Sequence, residues 1–310
     1  MRSVGLAGAL AGAPVAAADW PATLGYMLQA EGLAAQRADA VRELAASGRD
    51  LLVLDAAFSV GEHGAWTRAE LDAVRAGAPG RRVVCYLSIG EAEDYRDYFA
   101  GLAGGDLLLE ENPNWQGNFK VRYWREDWQR LIAARAAALM EQGFDGVYLD
   151  IVDAYQHFEH DAQGAFHPGR VNPETGASYR AGMVRFVRRI ADAVRAVRAD
   201  ALVIPQNGSD LLHDAALRAA VDGIGLEDLF TLNDAPQDPA HTGQVLDNLA
   251  VLDGTQHFVL VIEYAGTGKE RAHALQRAGE LGYVLLLTDR ALNTLGTSYA
   301  PMNWTERRPR

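Results

Sequence analysis

Carboxylate and amide side chains recur in this 310-residue chain at the points where short apolar runs end. Two carboxyl groups on either side of a glycosidic bond are what glycoside hydrolysis requires, one as the acid and the other as the base or the nucleophile. Crowded carboxylates also raise the pKa of one member, which keeps it protonated near neutral pH. The polar residues in these positions are Asp55, Glu91, Asp150, Asp153, Gln206, Asn207, Glu227, Asp228, Glu263 and Asp289.

Any single acid of this set is equally well explained as the N-cap of the following helix or as one partner of a surface salt bridge. These explanations are weaker for the set as a whole if its members converge on one surface. Like charges at close range repel each other, so such a cluster needs a cation, a proton or a function to justify it. Whether they converge depends on the elements that carry them.

Those elements alternate between short apolar runs and amphipathic helical patterns. Trp128, Leu131, Ile132, Ala136 and Leu139, for example, recur at helical spacing. The run 51–54 is apolar on both faces, which is typical of a parallel strand covered by helices. Eight such units predict an α/β fold, a single (β/α)8 TIM barrel, in which the carboxyl ends of all strands meet at one mouth. The predicted strands are 23–28, 50–58, 82–89, 146–151, 202–206, 223–227, 258–264 and 283–288.

A doubly wound sheet is the competing architecture. It usually has fewer strands and often carries a glycine-rich phosphate loop after its first strand. Here the first predicted strand ends at Tyr26-Met27-Leu28-Gln29, without such a loop, and the chain contains no phosphate-binding P-loop motif. Nucleotide chemistry therefore has no support in the sequence.

Long connections follow the third and fourth predicted strands, at residues 90–125 and 154–178. In a barrel both lie at the mouth, where long loops often act as lids. Aromatic rings near strand ends can pack on the C–H faces of a sugar or on a cation, and we expect two or three of them to contact a ligand while the others anchor loops or fill the core. They are Trp66, Trp115, Trp124, Tyr155, Phe230, Tyr264 and Tyr299.

Composition argues against several other functions. The net charge of −12 disfavours non-specific binding to nucleic acid. The single cysteine, Cys85, lies in an apolar run and is predicted to be buried, and only two lysines are available for Schiff-base chemistry. His157, His160 and His167 could bind a metal, but without helical spacing they are better explained as a solvated lid segment. We therefore predict no metal and no cofactor.

The first 18 residues, with one arginine before an alanine-rich apolar stretch, match a short signal peptide better than a disordered leader. No later segment is apolar for about 18 consecutive residues, so no membrane span is expected. We therefore expect residues 19–310 to form the barrel domain and the protein to be secreted or periplasmic.

Four sequence blocks resemble the glycoside hydrolases related to endo-α-1,4-polygalactosaminidases, that is glycoside hydrolase family 114. The longest is Tyr86-Leu87-Ser88-Ile89-Gly90-Glu91-Ala92-Glu93-Asp94-Tyr95-Arg96, which is similar to the third-strand signature of that family. Residues 112–128, the fourth-strand block 143–150 with Asp153, and Pro205-Gln206-Asn207-Gly208 resemble further blocks. The resemblance extends from about residue 20 to residue 300, nearly the whole chain.

This resemblance implies a TIM barrel and retaining hydrolysis, with Asp150 as the nucleophile and Glu227 as the acid/base. It also implies a polysaccharide or oligosaccharide substrate that contains amino sugars, such as α-1,4-polygalactosamine, which is cationic and compatible with an acidic mouth. The connection 154–178 departs from the family pattern and is expected to lie over the cleft. The predicted substrate-binding residues are Asp55, Tyr86, Glu91, Trp115, Asp153, Asn207, Glu263 and Tyr264.

Two alternatives stay open at this point. The chain could be a non-catalytic barrel that keeps the acids and aromatic rings to bind carbohydrate without cleaving it. It could also be a metal-dependent polysaccharide hydrolase or deacetylase that uses His157 and His160 together with neighbouring acids.

Overall fold

Strands form at all eight places where the sequence pattern predicts one. The computed structural model describes residues 20–59, 64–102 and 104–301, so the predicted signal peptide, residues 1–18, lies outside the described residues. The strands are β1 (Leu24–Met27), β2 (Leu51–Leu54), β3 (Arg82–Ser88), β4 (Glu91–Glu93), β5 (Leu108–Glu111), β6 (Asn118–Val121), β7 (Gly146–Asp150), β8 (Leu202–Pro205), β9 (Gly223–Glu227), β10 (Thr231–Leu232), β11 (Ala235–Pro236), β12 (Phe258–Glu263), β13 (Val284–Leu287) and β14 (Thr297–Tyr299). The helices are α1 (Arg37–Ala46), α2 (Arg68–Ala76), α3 (Glu126–Gln142), α4 (Tyr155–Phe158), α5 (Tyr179–Val197), α6 (Ala215–Arg218), α7 (Pro239–Leu249) and α8 (Gly268–Leu281).

The predicted strands form two groups of parallel ladders, β1-β2-β3-β7-β8 and β9-β12-β13. An isolated parallel bridge between Gln206 and Gly225 joins the two groups. Within the described part of the chain no ladder links β13 to β1. Instead, β14 runs antiparallel to β13, and Ser298 Oγ accepts a 2.8 Å hydrogen bond from Leu24 N. The architecture is the predicted α/β fold of the (β/α)8 TIM-barrel type.

Strand residues pack into two separate layers because successive side chains point to opposite faces. Tyr26, Val53 and Tyr148 belong to the inner layer, which the strands enclose, whereas Leu52 packs outward against the helices. Both faces are buried, as parallel strands covered by helices require. Gly225 leaves room inside, since a Cβ at this position would lie 1.8 Å from Tyr148 Oη.

Local signals set several helix ends. Thr67 and Glu70 form a capping box at the start of α2, in which each side chain bonds the backbone N–H of the other residue. Asp238 caps α7, whose first residue is Pro239, and Gly282 at φ 70° ends α8. Among the described residues, none of the helices combines the length and the apolar character that crossing a membrane requires.

The two long connections have different structures. Residues 90–125 contain an antiparallel sheet in the order β4-β6-β5, which the sequence pattern did not predict. Residues 154–178 contain α4, and Phe158 in this segment packs against Trp124 and Tyr179 at ring-centroid distances of 4.8 and 5.3 Å. The second connection is therefore fastened to the outer helices.

Candidate functional site

A layer of polar side chains continues the inner face of the strands beyond the apolar layer. Each of these residues lies two positions after an inner-facing residue of its own strand, so the pleat directs its side chain to the same interior. They are Asp55 after β2, Asp150 at the end of β7, Gln206 after β8, Glu227 at the end of β9 and Tyr264 after β12.

Left-handed backbone follows directly after three of these residues. Ile151, Asn207 and Asp228 have φ angles of 57°, 58° and 53°. A positive φ is costly for a β-branched residue such as isoleucine, and such strain concentrates at functional sites. The bend after β7 brings Ile151 N to within 2.8 Å of Asp150 Oδ1, where it donates a hydrogen bond. The strained positions thus terminate three neighbouring strands and orient the side chains at their ends.

A cavity of about 350 Å³ lies above this polar layer. Small-molecule sites are typically about 300–1,000 Å³, so a sugar ring is within its capacity. Trp115, which is 55% exposed in the turn between β5 and β6, borders one side of the cavity, and Arg290 and Leu292 after β13 border another. The structure brings eight of the ten predicted site residues to its wall: Asp55, Tyr86, Trp115, Asp150, Asp153, Asn207, Glu227 and Tyr264.

Asp150 accepts hydrogen bonds on both carboxylate oxygens. Tyr86 Oη donates to Oδ2 at 2.8 Å, while Ile151 N and Gln206 Nε2 donate to Oδ1 at 2.8 and 3.1 Å. Burial raises the pKa of Asp150 from 3.8 to about 6, although the donors Tyr86 Oη and Ile151 N favour the charged form. The carboxyl group is therefore mostly ionised at neutral pH.

Glu227 is held by two donors from neighbouring strands. Gln206 Nε2 donates to Oε2 at 2.8 Å, and the Tyr264 hydroxyl donates to Oε1. Burial, and after it the charge of Asp150, raises the pKa of Glu227 from 4.5 to about 8. The Arg290 guanidinium stacks 4.4 Å from the Tyr264 ring centroid and supports this side of the site. Glu227 therefore retains its proton at neutral pH.

One amide nitrogen, Gln206 Nε2, bridges the two carboxyl groups. The two acceptor oxygens, Asp150 Oδ1 and Glu227 Oε2, can consequently be no farther apart than the sum of their distances to this nitrogen, 5.9 Å. Gln206 is only 3% exposed, and its backbone also connects β7 to β9 through Leu149 O and the bridge to Gly225. This residue fixes the spacing of the pair.

The acids of the cavity differ in whether a cation neutralises them. Arg96 donates to Asp55 through two nitrogens, at 3.1 and 2.6 Å, and to Glu93 at 2.8 Å. Asp150, Asp153 and Glu227 form no salt bridge within the described ranges. Burial, and next the charge of Asp150, raises the pKa of Asp153 from 3.8 to about 7. The cavity thus keeps three acids without a cationic partner.

Two predicted binding residues lie outside the cavity wall. The alternation of side chains along β12 directs Glu263 to the outer face of the strand, where it is fully buried. Its carboxylate accepts hydrogen bonds from Phe230 N, Thr231 N and the Thr231 hydroxyl. Glu91 is buried as well and accepts hydrogen bonds from Asn112 Nδ2 at 3.0 and 3.3 Å. Both carboxylates hold backbone segments or loops, so the structure does not bring these two predicted binding residues to the cavity wall.

No residue of the connection 154–178, which was expected to lie over the cleft, lines this cavity, although Gln156 lines a smaller neighbouring cavity. The histidines of this connection are also dispersed: His157 pairs with Glu110 at 3.0 Å, and His167 pairs with Asp161 at 2.8 Å. In the part of the chain that the structure describes, no group of three or more potential ligands is arranged to hold a metal ion.

Several wall residues were missed by the sequence analysis. Tyr26 points inward from β1, Arg290 follows β13, and the bridging role of Gln206 is visible only in three dimensions. The inward parity of Tyr26 could have been deduced from strand alternation, because it lies two residues after Leu24. No sequence signal distinguishes Arg290 from other loop arginines.

Sequence comparisons relate the chain to one family and to several microbial proteins. The model of glycoside-hydrolase family GH114 matches residues 45–302. An uncharacterized protein of Deinococcus radiodurans is 36% identical over 234 residues, which cover 74% of this chain and 70% of that protein. An uncharacterized protein of Thermotoga maritima is 32% identical over 248 residues, covering 78% and 72%. A third, from Methanocaldococcus jannaschii, is 31% identical over 278 residues, covering 84% and 76%.

Structural comparison adds two solved neighbours. The glycoside hydrolase domain of PelA from Pseudomonas aeruginosa has a TM-score of 0.65 at 19% identity and covers 90% of this chain and 98% of that one. Aspergillus fumigatus Ega3, solved in complex with galactosamine, has a TM-score of 0.64 at 16% identity and covers 92% and 96%. Because the sequence identities to these two neighbours are only 19% and 16%, the comparison shows that the fold is shared and nothing beyond that.

Proposed function

The chain belongs to glycoside-hydrolase family GH114, and we propose that it cleaves an amino-sugar polysaccharide, with α-1,4-linked galactosamine polymers as the first candidate substrate, by a retaining mechanism. In this proposal Asp150 is the nucleophile and Glu227 is the acid/base. Gln206, Tyr86 and Tyr264 hold the two carboxyl groups in position.

The spacing of the carboxyl groups is the observation that carries the mechanism. The bridging amide limits the distance between Asp150 Oδ1 and Glu227 Oε2 to 5.9 Å. Retaining glycosidases place their two carboxyl groups about 5–5.5 Å apart, whereas inverting enzymes leave about 6.5–9.5 Å for a water molecule. The upper limit on the distance between these two oxygens is shorter than the spacing of inverting enzymes, and it therefore supports direct attack by the Asp150 carboxylate.

The two pKa values support the assignment of roles. A nucleophile must be ionised, and the pKa of Asp150, raised by burial to about 6, meets this condition at pH 7. A general acid must carry a proton, and the pKa of Glu227, raised by burial and the charge of Asp150 to about 8, meets that condition.

The reaction then proceeds in two balanced steps. An Asp150 oxygen forms a bond to the anomeric carbon while the bond to the leaving oxygen breaks and Glu227 donates its proton to that oxygen. Water next attacks the same carbon, Glu227 takes back a proton, and the ester bond to Asp150 breaks. The product keeps the anomeric configuration of the substrate.

Charge and shape support an amino-sugar substrate. Asp150, which is mostly ionised at neutral pH, and Asp153, whose pKa burial raises to about 7, have no cationic partner and therefore favour a cationic ligand over a neutral one. Trp115 offers an exposed ring for the C–H face of a sugar. The solved complex of Ega3 with galactosamine is a precedent for this ligand on the same fold.

Product analysis tests the proposal. Mass spectrometry on a panel of polysaccharides, including deacetylated galactosamine and glucosamine polymers, is expected to detect cleavage of the galactosamine polymer. NMR of fresh products should give the anomer of the substrate. D150N should abolish cleavage, whereas the matched variant D253N, at an exposed acid outside the cavity, should cleave as the wild type does. Full activity of D150N on every accepted glycan would refute the assignment.

Metal independence and export belong to the same proposal. A metal-dependent mechanism predicts loss of activity with chelator and recovery with a divalent ion, whereas the two-carboxylate mechanism predicts no effect.

A polysaccharide substrate also fits export to the cell exterior or the periplasm, with residues 1–18 as the signal peptide and residues 19–310 as the barrel domain. N-terminal sequencing of the exported protein tests this point, and a mature form that begins at residue 1 would refute it.

A further inference from the structure

A second cavity, of about 280 Å³, adjoins the first one along a shared edge. The edge consists of Asp153, Asn207 and Glu227, which line both cavities. From there the second cavity extends outward between the connections that follow β7, β8 and β9, and its far side is formed by His241 and Val245 of α7. The two cavities therefore lie side by side at the mouth of the barrel, with these three residues between them.

The proposed catalytic residues border the two cavities unequally. Asp150 lines only the first cavity, whereas Glu227 lines both. A nucleophile must face the sugar that it attacks, and a general acid must face the oxygen that leaves. The attacked sugar therefore belongs in the first cavity and the departing part of the chain on the other side of Glu227.

We infer that the second cavity binds the amino-sugar unit on the leaving side of the bond, so that the polysaccharide runs from Trp115 across Glu227 toward His241. This inference rests on the proposed function and adds to it the direction of the chain. It also assigns the segment after β9 and the start of α7 to substrate binding.

The chemistry of the second cavity fits a cationic sugar. Leu226, Leu229 and Val245 provide an apolar wall for C–H groups. Asp153 supplies an acid without a cationic partner at the shared edge, while Asp228 is already neutralised by Arg290 at 2.9 Å. Apolar contact with a few polar groups that fix orientation is the usual composition of a ligand site.

Filling the second cavity tests the inference. The substrates are an α-1,4-linked galactosamine tetramer and a nitrophenyl α-galactosaminide, which has no sugar on the leaving side. V245F should lower the ratio of kcat/KM for the tetramer to kcat/KM for the aryl glycoside by about 10-fold or more, the effect of a lost pocket contact. The ratio cancels any general loss of folded protein. V197F, the same substitution at an exposed position at the end of α5, is the matched control and should leave the ratio unchanged.

A second pair of variants covers the case in which V245F does not fold. His241 is exposed on α7, so H241R is expected to fold, and H167R, the same substitution at an exposed histidine that lines neither cavity, is the matched control. The cation of H241R should repel a cationic sugar and lower the same ratio, with a smaller effect at high salt, while H167R should leave the ratio unchanged. An unchanged ratio in H241R overturns the inference about the second cavity alone. Failure of the wild type to hydrolyse either substrate overturns the proposed function itself.

Discussion

The bridging amide of Gln206 gives the sharpest prediction about the proposed catalytic pair, Asp150 and Glu227. Its single nitrogen donates to Asp150 Oδ1 at 3.1 Å and to Glu227 Oε2 at 2.8 Å. Q206L replaces the amide by an apolar side chain and removes both donated hydrogen bonds. Because a donated hydrogen bond favours the charged form of a carboxyl group, its loss should raise the pKa of Asp150 and of Glu227.

The expected size of the change follows from the strength of these bonds. A hydrogen bond to a charged group is worth about 1.5–3 kcal/mol, and one pKa unit corresponds to about 1.4 kcal/mol. Each pKa should therefore rise by about 1–2 units, and that of Asp150, about 6 in the wild type, should become roughly 7–8. The ionised fraction of Asp150 at pH 7 then falls from about 0.9 to about 0.5–0.1, which lowers kcat/KM at this pH about 2- to 10-fold.

The assay is the pH dependence of kcat/KM with the aryl glycoside. Activity should rise as Asp150 ionises near pH 6 and fall as Glu227 ionises near pH 8, which gives the wild type an optimum near pH 7. Q206L should move both limbs upward, and Q276L, at an exposed position on α8, should move neither. A Q206L profile that is lower but unmoved would refute the reasoning, because the amide would then not govern ionisation.

Three further predictions concern the acids around the cleft. E263Q should lower Tm and leave KM unchanged, because the carboxylate holds buried backbone and not substrate; a higher KM at normal Tm would contradict this. R96M should lower the free energy of unfolding, measured by urea denaturation, by about 3–5 kcal/mol, since two buried acids, Asp55 and Glu93, lose their cation; a loss below about 1 kcal/mol would count against it. The pKa of Asp153, raised by burial and the charge of Asp150 to about 7, means that the folded state loses stability as pH rises from about 4 to 7. D153N should therefore raise Tm more at pH 8 than at pH 5, and equal shifts would contradict the cause given.

The strand positions could be predicted from the sequence because each strand is apolar on both faces and is separated from the next by a helical pattern. The eight predicted runs differ from the observed strands mainly at their ends, for example 50–58 against β2 at Leu51–Leu54. Side-chain periodicity and burial determine such elements locally, without knowledge of their neighbours. The sheet within residues 90–125 lacked this signal, because β4, β5 and β6 are short and largely polar.

The same alternation explains why the strand-end acid Glu263 lies outside the cavity wall. Phe258, Leu260 and Ile262 face inward on β12, so Tyr264 faces inward and Glu263 faces the outer layer. Counting by two along the sequence is enough to place Glu263 behind the strand. Position at a strand end is thus not sufficient for a site residue, and parity must be counted as well.

The alternation of side chains along one strand does not show how neighbouring strands are placed relative to each other. The bridge between the two carboxyl groups depends on that placement. Gln206 contacts both carboxyl groups because β8 lies between β7 and β9, with Pro205 opposite Leu149 and Gln206 opposite Gly225. Its neighbours in sequence carry no sign of this bridge. The left-handed backbone conformation of Ile151, Asn207 and Asp228 is likewise visible only in the structure, where the chain turns away at the end of each of the three strands.

The placement of the connection 154–178 depends on anchoring contacts that lie far away in sequence. Glu159 in this segment is buried and accepts hydrogen bonds from Arg180 of α5 at 2.7 Å, and Phe158 packs against Trp124 beside α3. These contacts hold the segment against the outer helices, so the mouth is bordered instead by Trp115 and Arg290 from other connections. A long loop after a barrel strand begins at the mouth, but its apolar and charged anchors decide whether it covers the cleft. Here they keep the segment away from the first cavity, and Gln156 is the one residue of this segment that reaches the wall of the second cavity.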